Sequence, residues 1–264
     1  LNNNRLVLDG NLSRGDLTLL HKQLLAWLPD KEMSRSISQL TIAGKLEDAT
    51  FQVTEGLQDA DRDKQSVSEG IAIHAQTEIR QARMKLSDDW PEISNLSGRL
   101  SLQEDNLSAS FTKGQIANID LQNLNVVLQE LSTGVSAVKL NGEASGDSGE
   151  IVDLVRKSHF IPSAEAWLGQ TKIAGKGKLS LELDMAKNEV DFSVSRLQGR
   201  YQLIDNQIDM GRYIPNLNEI NGELVFTEAG VVLENLHGEI LMARSRLLQP
   251  PHLLAGCVCR RMVG

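Results

Sequence analysis

A few short constellations in this sequence hold residue types that can do chemistry. Gly146-Asp147-Ser148-Gly149 sets a serine beside an aspartate, as in the nucleophile segment of trypsin-like proteases. A serine nucleophile needs a base within hydrogen-bond reach, and no histidine stands in a matching upstream motif. The segment runs into Glu150 and an amphipathic stretch, so Asp147 or Ser148 is better explained as a helix N-cap. No G-x-S-x-G elbow occurs either. Asp59, Asp61 and Asp63 alternate like the start of a calcium loop, but Lys64 occupies the position that requires glycine. Gly70 stands where a bidentate glutamate should be. Gly175-Lys176-Gly177-Lys178 lacks the spacing of a phosphate loop and enters a strand, not a helix. The histidines, His21, His74, His159, His237 and His252, never fall at metal-ligand spacing. Cys257 and Cys259 are too close for an easy disulfide and too few for a zinc site. The expectation is no catalytic residue, no metal site and no cofactor.

Composition narrows the classes further. A net charge of −8 with scattered Lys and Arg argues against nucleic acid, which demands clustered basic residues. Aromatics make up 4% of the chain, so any core must be aliphatic. No apolar run approaches the roughly 18 residues of a membrane helix. The chain opens Leu1-Asn2-Asn3-Asn4 without an initiator methionine. It reads as an internal piece, whose parent would carry any anchor upstream, or as a trimmed cytosolic protein.

Few elements are left to position anything, and most are strands. Leu179, Leu181, Leu183 and Met185 alternate with Ser180, Glu182 and Asp184. After a turn at 186–189, Val190, Phe192 and Val194 alternate with Asp191, Ser193 and Ser195. That period of two is the mark of strands with one apolar and one solvated face. Shorter examples are Leu6/Leu8, Leu40/Ile42, Ile71/Ile73, Leu100/Leu102, Leu107/Ala109/Phe111 and Leu224/Phe226. Ser13 and Asp16 form a capping-box-like S-x-x-D before Leu17, Leu20, Leu24, Trp27 and Leu28 at helical spacing, which returns in Ile151, Leu154 and Val155. A third short helical turn is expected at 163–168. Gly56–Gly70 reads as an exposed acidic loop.

The chain also repeats itself. Pro91-Glu92-Ile93-Ser94-Asn95-Leu96-Ser97-Gly98-Arg99-Leu100-Ser101-Leu102 matches Pro215-Asn216-Leu217-Asn218-Glu219-Ile220-Asn221-Gly222-Glu223-Leu224-Val225-Phe226 at one offset, about 124 residues. The register continues to Gly114 and Ile116 against Gly238 and Ile240. Repetition of a two-strand unit implies stacking of neighbours into one continuous structure.

Trp90-Pro91 and this repeat, the helix Gly149–Lys157 and Gly175–Leu183 together resemble the AsmA-like family of Gram-negative envelope proteins, relatives of TamB and of bridge-like lipid transfer proteins. The resemblance covers 40–244. It implies an extended, curled antiparallel sheet, mainly β, forming an open groove built from repeats, with two or three short helices. The implied organisation is a strand and amphipathic helix at 1–39, the repetitive region at 40–244, and an atypical tail at 245–264. That tail, with Pro250-Pro251 and three arginines, is either a frameshifted or chimeric end or a genuine extension.

The implied function is to shield phospholipid acyl chains in the periplasm, in a protein anchored to the inner membrane by a segment of the parent. The partners would be phospholipid acyl chains and neighbouring repeats. The candidate lining is Leu100, Leu102, Leu107, Phe111, Leu179, Leu181, Leu183, Val190, Phe192, Val194, Leu224, Phe226, Val231 and Leu233. Alternation alone favours a closed β-sandwich or barrel that buries the same face, and only the resemblance reverses that preference. Such a scaffold or protein-interaction module is the alternative from another class.

Overall fold

The computed structural model describes residues 5–27, 41–56, 72–85, 90–131, 135–158, 171–188, 192–209 and 216–241. Among these residues eleven strands form one open antiparallel sheet in which every strand lies beside its neighbours in sequence. They are β1 (Arg5–Asp16), β2 (Thr41–Gly56), β3 (Ala72–Lys85), β4 (Ile93–Gln103), β5 (Asn106–Ile116), β6 (Ile119–Gln129), β7 (Ala137–Asp147), β8 (Lys172–Lys187), β9 (Phe192–Asp209), β10 (Asn216–Thr227) and β11 (Gly230–Leu241). Among the described residues two helices interrupt the meander: α1 (Leu17–Trp27) follows β1 directly, and α2 (Ser148–Ser158) follows β7 directly. The expected helical turn at 163–168, most of the acidic loop and the tail lie outside the described residues. There is no second sheet among the described residues, so the sandwich arrangement is not the one adopted.

Each helix starts on an aspartate that ends the preceding strand. The Thr18 backbone N–H donates to Asp16 Oδ1 at 2.7 Å, and the Gly149 N–H donates to Asp147 Oδ1 at 2.9 Å. These bonds satisfy donors that a helix start leaves free. Ser13, read in the sequence as part of a capping box, sits within β1 instead, because Asp16 alone reaches the helix N-terminus. Ser148 is the first helical residue, fully enclosed, and Asp147 is the cap.

The repeat is carried into the backbone. In β4 the register against β5 shifts between Ser94, Ser97 and Gly98; in β10 the register against β11 shifts between Asn218, Asn221 and Glu223. At the heart of these bulges Asn95 and Glu219 hold φ of 56° and 52°. Gln81 in β3 and Asp205 in β9 match in the same way, with φ of 51° and 49°. An extra residue at a fixed place bends a strand and raises its twist, so the two copies share their irregularities as well as their pattern.

The repeat also extends upstream of 90. Ile42-Ala43-Gly44-Lys45 recurs as Ile173-Ala174-Gly175-Lys176, and Gly15-Asp16 recurs as Gly146-Asp147. Gly44 and Gly175 both have positive φ, 154° and 130°. Each faces a bulge of the next strand so closely that a Cβ would stand 2.8 Å from the Cα of Ala82 or of Asn206. One copy is therefore strand, capped helix and four strands.

The chain divides into two compact units. The first comprises Leu1–Ala117, Gln122–Asn141 and Asp184–Ser193; the second comprises Asn118–Leu121, Gly142–Leu183 and Val194–Gly264. In the first, Leu46, Ile79, Ala82, Ile93, Leu96 and Ile116 are buried together with Leu17 of α1. In the second, Ile119, Ile151, Val152, Leu183, Leu197, Leu203 and Ile220 are buried. Full burial of one such aliphatic side chain is worth about 1.5–3 kcal/mol, so these clusters hold each unit together.

Candidate apolar face

Strand register shows how the apolar side chains line up. In the first unit, paired residues form rows that run across the strands: Leu8–Val53–Ile73, then Gly10–Phe51–Ala75–Leu102–Leu107, then Thr77–Leu100–Ala109, then Gly15–Leu46–Ile79–Gly98–Phe111. Directly paired residues lie on one face of a sheet, so all these side chains share a face.

Burial is graded along that face. Where α1 leaves β1 and lies against β2, the end with Leu46, Ile79, Ile93, Leu96 and Ile116 is closed. At the other end the same strands lie open. Leu8 is 58% exposed, Leu12 49% and Phe51 40%, and the expected lining residues Leu100, Leu102, Leu107 and Phe111 are half-buried. A contiguous apolar surface of this kind is one that soluble proteins seldom leave uncovered.

The second unit repeats the arrangement. Tyr201 pairs with Leu224 and Leu224 with Leu233; Gly199 pairs with Phe226 and Phe226 with Val231. Val152 of α2 packs against Val155 and Ile173, and Asn118 Nδ2 ties the helix start by donating to Glu150 Oε1 at 2.7 Å. Burial pushes the Tyr201 phenol above its usual range, and neither its hydroxyl nor that of Ser148 has a hydrogen-bond partner among the described residues. Leu179, Leu181, Val194, Leu224 and Phe226 are half-buried, while Val231 and Leu233 are exposed. Leu183, expected in the lining, is 1% exposed and belongs to the core. Phe192, placed with the first unit, is exposed, and Val190 lies outside the described residues.

The opposite face is polar. Glu47 faces Glu78 across β2 and β3, and the repulsion is relieved by the ion pairs Arg80–Glu47 and Arg99–Glu78. Glu223 faces Glu234 across β10 and β11, with Arg200 serving both carboxylates. Such exposed pairs contribute about 0–1 kcal/mol each, so they fix register more than they stabilise. A shallow depression of about 450 Å³ lies on this face between the polar rows Asp9–Gln52–His74–Gln103 and Asn11–Thr50–Gln76–Ser101. The intervening row Gly10–Phe51–Ala75–Leu102 also lines it, but the rows on either side of that one, Leu8–Val53–Ile73 and Thr77–Leu100, do not, which places it on the solvated side. Sequence reasoning did not single it out, since polar residues spread over four strands have no local signature.

The described residues bring no three His, Cys, Asp or Glu side chains together as a metal site. No described helix is long and apolar enough to cross a membrane.

A repeated, capped strand–helix unit feeding a long antiparallel meander is now defined, and comparison gives it a family. The family described as YhdP protein matches residues 5–251. The chain belongs to the YhdP family. The match reaches further toward both ends than the stretch 40–244, taking in β1 and α1, which the structure places in the same repeat. Neither a curated protein nor a solved structure matches the chain. YhdP proteins are envelope-associated, and an open β-sheet with a partly uncovered apolar face accords with the AsmA-like resemblance.

Proposed function

We propose that this chain is a segment of a periplasmic lipid-transport bridge, shielding phospholipid acyl chains between the inner and outer membranes of a Gram-negative bacterium. The parent protein would be held at the inner membrane by an anchor outside this segment, and neighbouring repeats would continue the apolar path. One observation carries the reading: rows of aliphatic side chains run across successive strands with one end closed by the protein's own core and the other left open. Each methylene withdrawn from water there is worth about 0.8 kcal/mol, so an acyl chain is the natural cover. The open surface is apolar, its aliphatic side chains interspersed with the rings of Phe51 and Phe226. No reaction is required of it, and we assign none.

Photoreactive residues at Leu102 and Leu224 test this. With vesicles of phosphatidylethanolamine, both positions should form lipid adducts, whereas Ser101 and Glu223, on the opposite face, should not. Equal labelling of the two sets, or none at Leu102 and Leu224, would sink the proposal.

A second reading has one feature in its favour. Among the described residues β11 is the last strand of the sheet and exposes Val231, Val232, Leu233 and Leu236, an edge to which a protein segment could add as a strand. A non-enzymatic scaffold of the envelope would bind there, carry no co-purifying lipid, and show protection at β11 on meeting its partner.

A further inference from the structure

The described aromatic side chains are placed by an unusual rule. Phe51 pairs with Gly10 across β1 and β2, and Phe226 pairs with Gly199 across β9 and β10. In both cases the ring lies over the glycine: a Cβ added to Gly10 or Gly199 would stand only 2.2 or 2.0 Å from the Cζ of the ring. Tyr201 covers Gly177 in the same way. Phe111 has Gly98 as its register partner across β4 and β5. Thus four of the five described Phe and Tyr residues, Phe192 being the fifth, have a glycine on the neighbouring strand.

Glycine weakens a strand, since it gives up more backbone freedom than other residues and offers no side chain to pack. None of Gly10, Gly177 and Gly199 has the positive φ that would demand it, and the atoms nearest an added Cβ are those of the aromatic side chain; at Gly98 a Cβ would instead stand 2.0 Å from the Ser110 carbonyl oxygen, so close backbone approach accounts for that glycine. What the other three provide is room. A strand side chain ordinarily stands roughly perpendicular to its sheet. A phenyl ring beside a glycine can instead lie down over the bare backbone, a way of restoring packing to a glycine in a sheet.

We infer that Gly10 and Gly199 set the clearance of the apolar face: they let the Phe51 and Phe226 rings lie flat, so that an extended acyl chain can pass over them. This rests on the groove reading and deepens it, naming the positions that decide what thickness of apolar ligand the face admits. Phe51 and Phe226 both sit on the uncovered part of their units, in the rows with Leu102 and Val231. Tyr201, by contrast, is buried, so its glycine serves packing and lies outside the inference. A Cβ at Gly10 or Gly199 would lift the ring off the sheet and stand it in the path of the ligand.

The test uses the photoreactive Leu102 and Leu224 chains with phosphatidylethanolamine vesicles. Gly199→Val should cut lipid labelling at Leu224 at least fivefold and leave labelling at Leu102 within twofold. Gly10→Val should do the reverse. Adding Phe226→Ala to Gly199→Val should restore labelling at Leu224, because the raised ring is then gone. Phe226→Ala alone should leave labelling at Leu224 unchanged or higher, which covers the case where Gly199→Val fails to fold. Unchanged labelling in a folded Gly199→Val chain overturns the inference. So does loss at both positions together, which would mean a merely structural role, or reduced labelling in Phe226→Ala. Absence of labelling in the unsubstituted pair would instead refute the groove reading on which the inference stands.

Discussion

Replacing Gly44 by alanine puts a number on the bulge contact that the two copies share. Gly44 has φ of 154°, and a Cβ there would stand 2.8 Å from Ala82 Cα and 2.9 Å from Ala82 Cβ. The backbone conformation alone costs an L-residue about 1–3 kcal/mol. The contact is with backbone, so β3 itself must move, adding about 1–3 kcal/mol for overpacking. Gly230 supplies the matched control. It has the same φ, 154°, but nothing within 4 Å of an added Cβ. Urea unfolding followed by far-ultraviolet circular dichroism should therefore show Gly44→Ala more destabilised than Gly230→Ala by about the packing share, 1–3 kcal/mol. Equal losses in the two variants would refute the reasoning, since dihedral strain would then account for everything. Gly175→Ala, whose Cβ would meet Asp205 O and Asn206 Cα at 2.8 Å, should behave like Gly44→Ala.

Two further outcomes depend on pH. Hydrogen bonds from Thr18 hold the Asp16 carboxyl below its ordinary value. A depressed folded value means stability that is present above the unfolded value and lost as pH falls through the folded one; thermal melts of Asp16→Ala and the unsubstituted chain should thus differ at neutral pH and converge in acid. Burial raises the Tyr201 phenol above its ordinary value. That contribution is intact below the unfolded value and lost as pH rises toward the folded one, so Tyr201→Phe should unfold less steeply above about pH 10 than the unsubstituted chain, as read by melts across an alkaline series.

Faces were legible in the sequence, and depth along them was not. Alternation in Leu100/Leu102, Leu179/Leu181 and Leu224/Phe226 places these side chains on one side of their strands, because a period of two has no other structural meaning. The same alternation cannot say where along a strand a helix will close the face, so Leu183 read like Leu181 although one is enclosed and the other half-open. The two-strand repeat was visible because 90–116 and 214–240 run without a gap. Its upstream half, including the two copies of Ile-Ala-Gly-Lys, stands at a different offset of 131 positions, since the connections between β2 and β3 and between β8 and β9 differ in length. β6 and β7 escaped notice for another reason. Asn123 interrupts β6 with a φ of 50°, and β7 draws Ala, Gly and Glu into Ala137–Asp147, leaving too few large apolar residues to mark a period.

The strand order has one more consequence, for how such a chain comes into being. Every strand finds its partner in the segment made just before it, so a polypeptide emerging end-first from a ribosome or a translocation pore never waits for a distant piece. The newest strand always has a finished template beside it. Assembly can thus proceed as growth from one end, with low contact order at every step, and the chain can lengthen by whole copies in evolution without changing how any earlier copy folds.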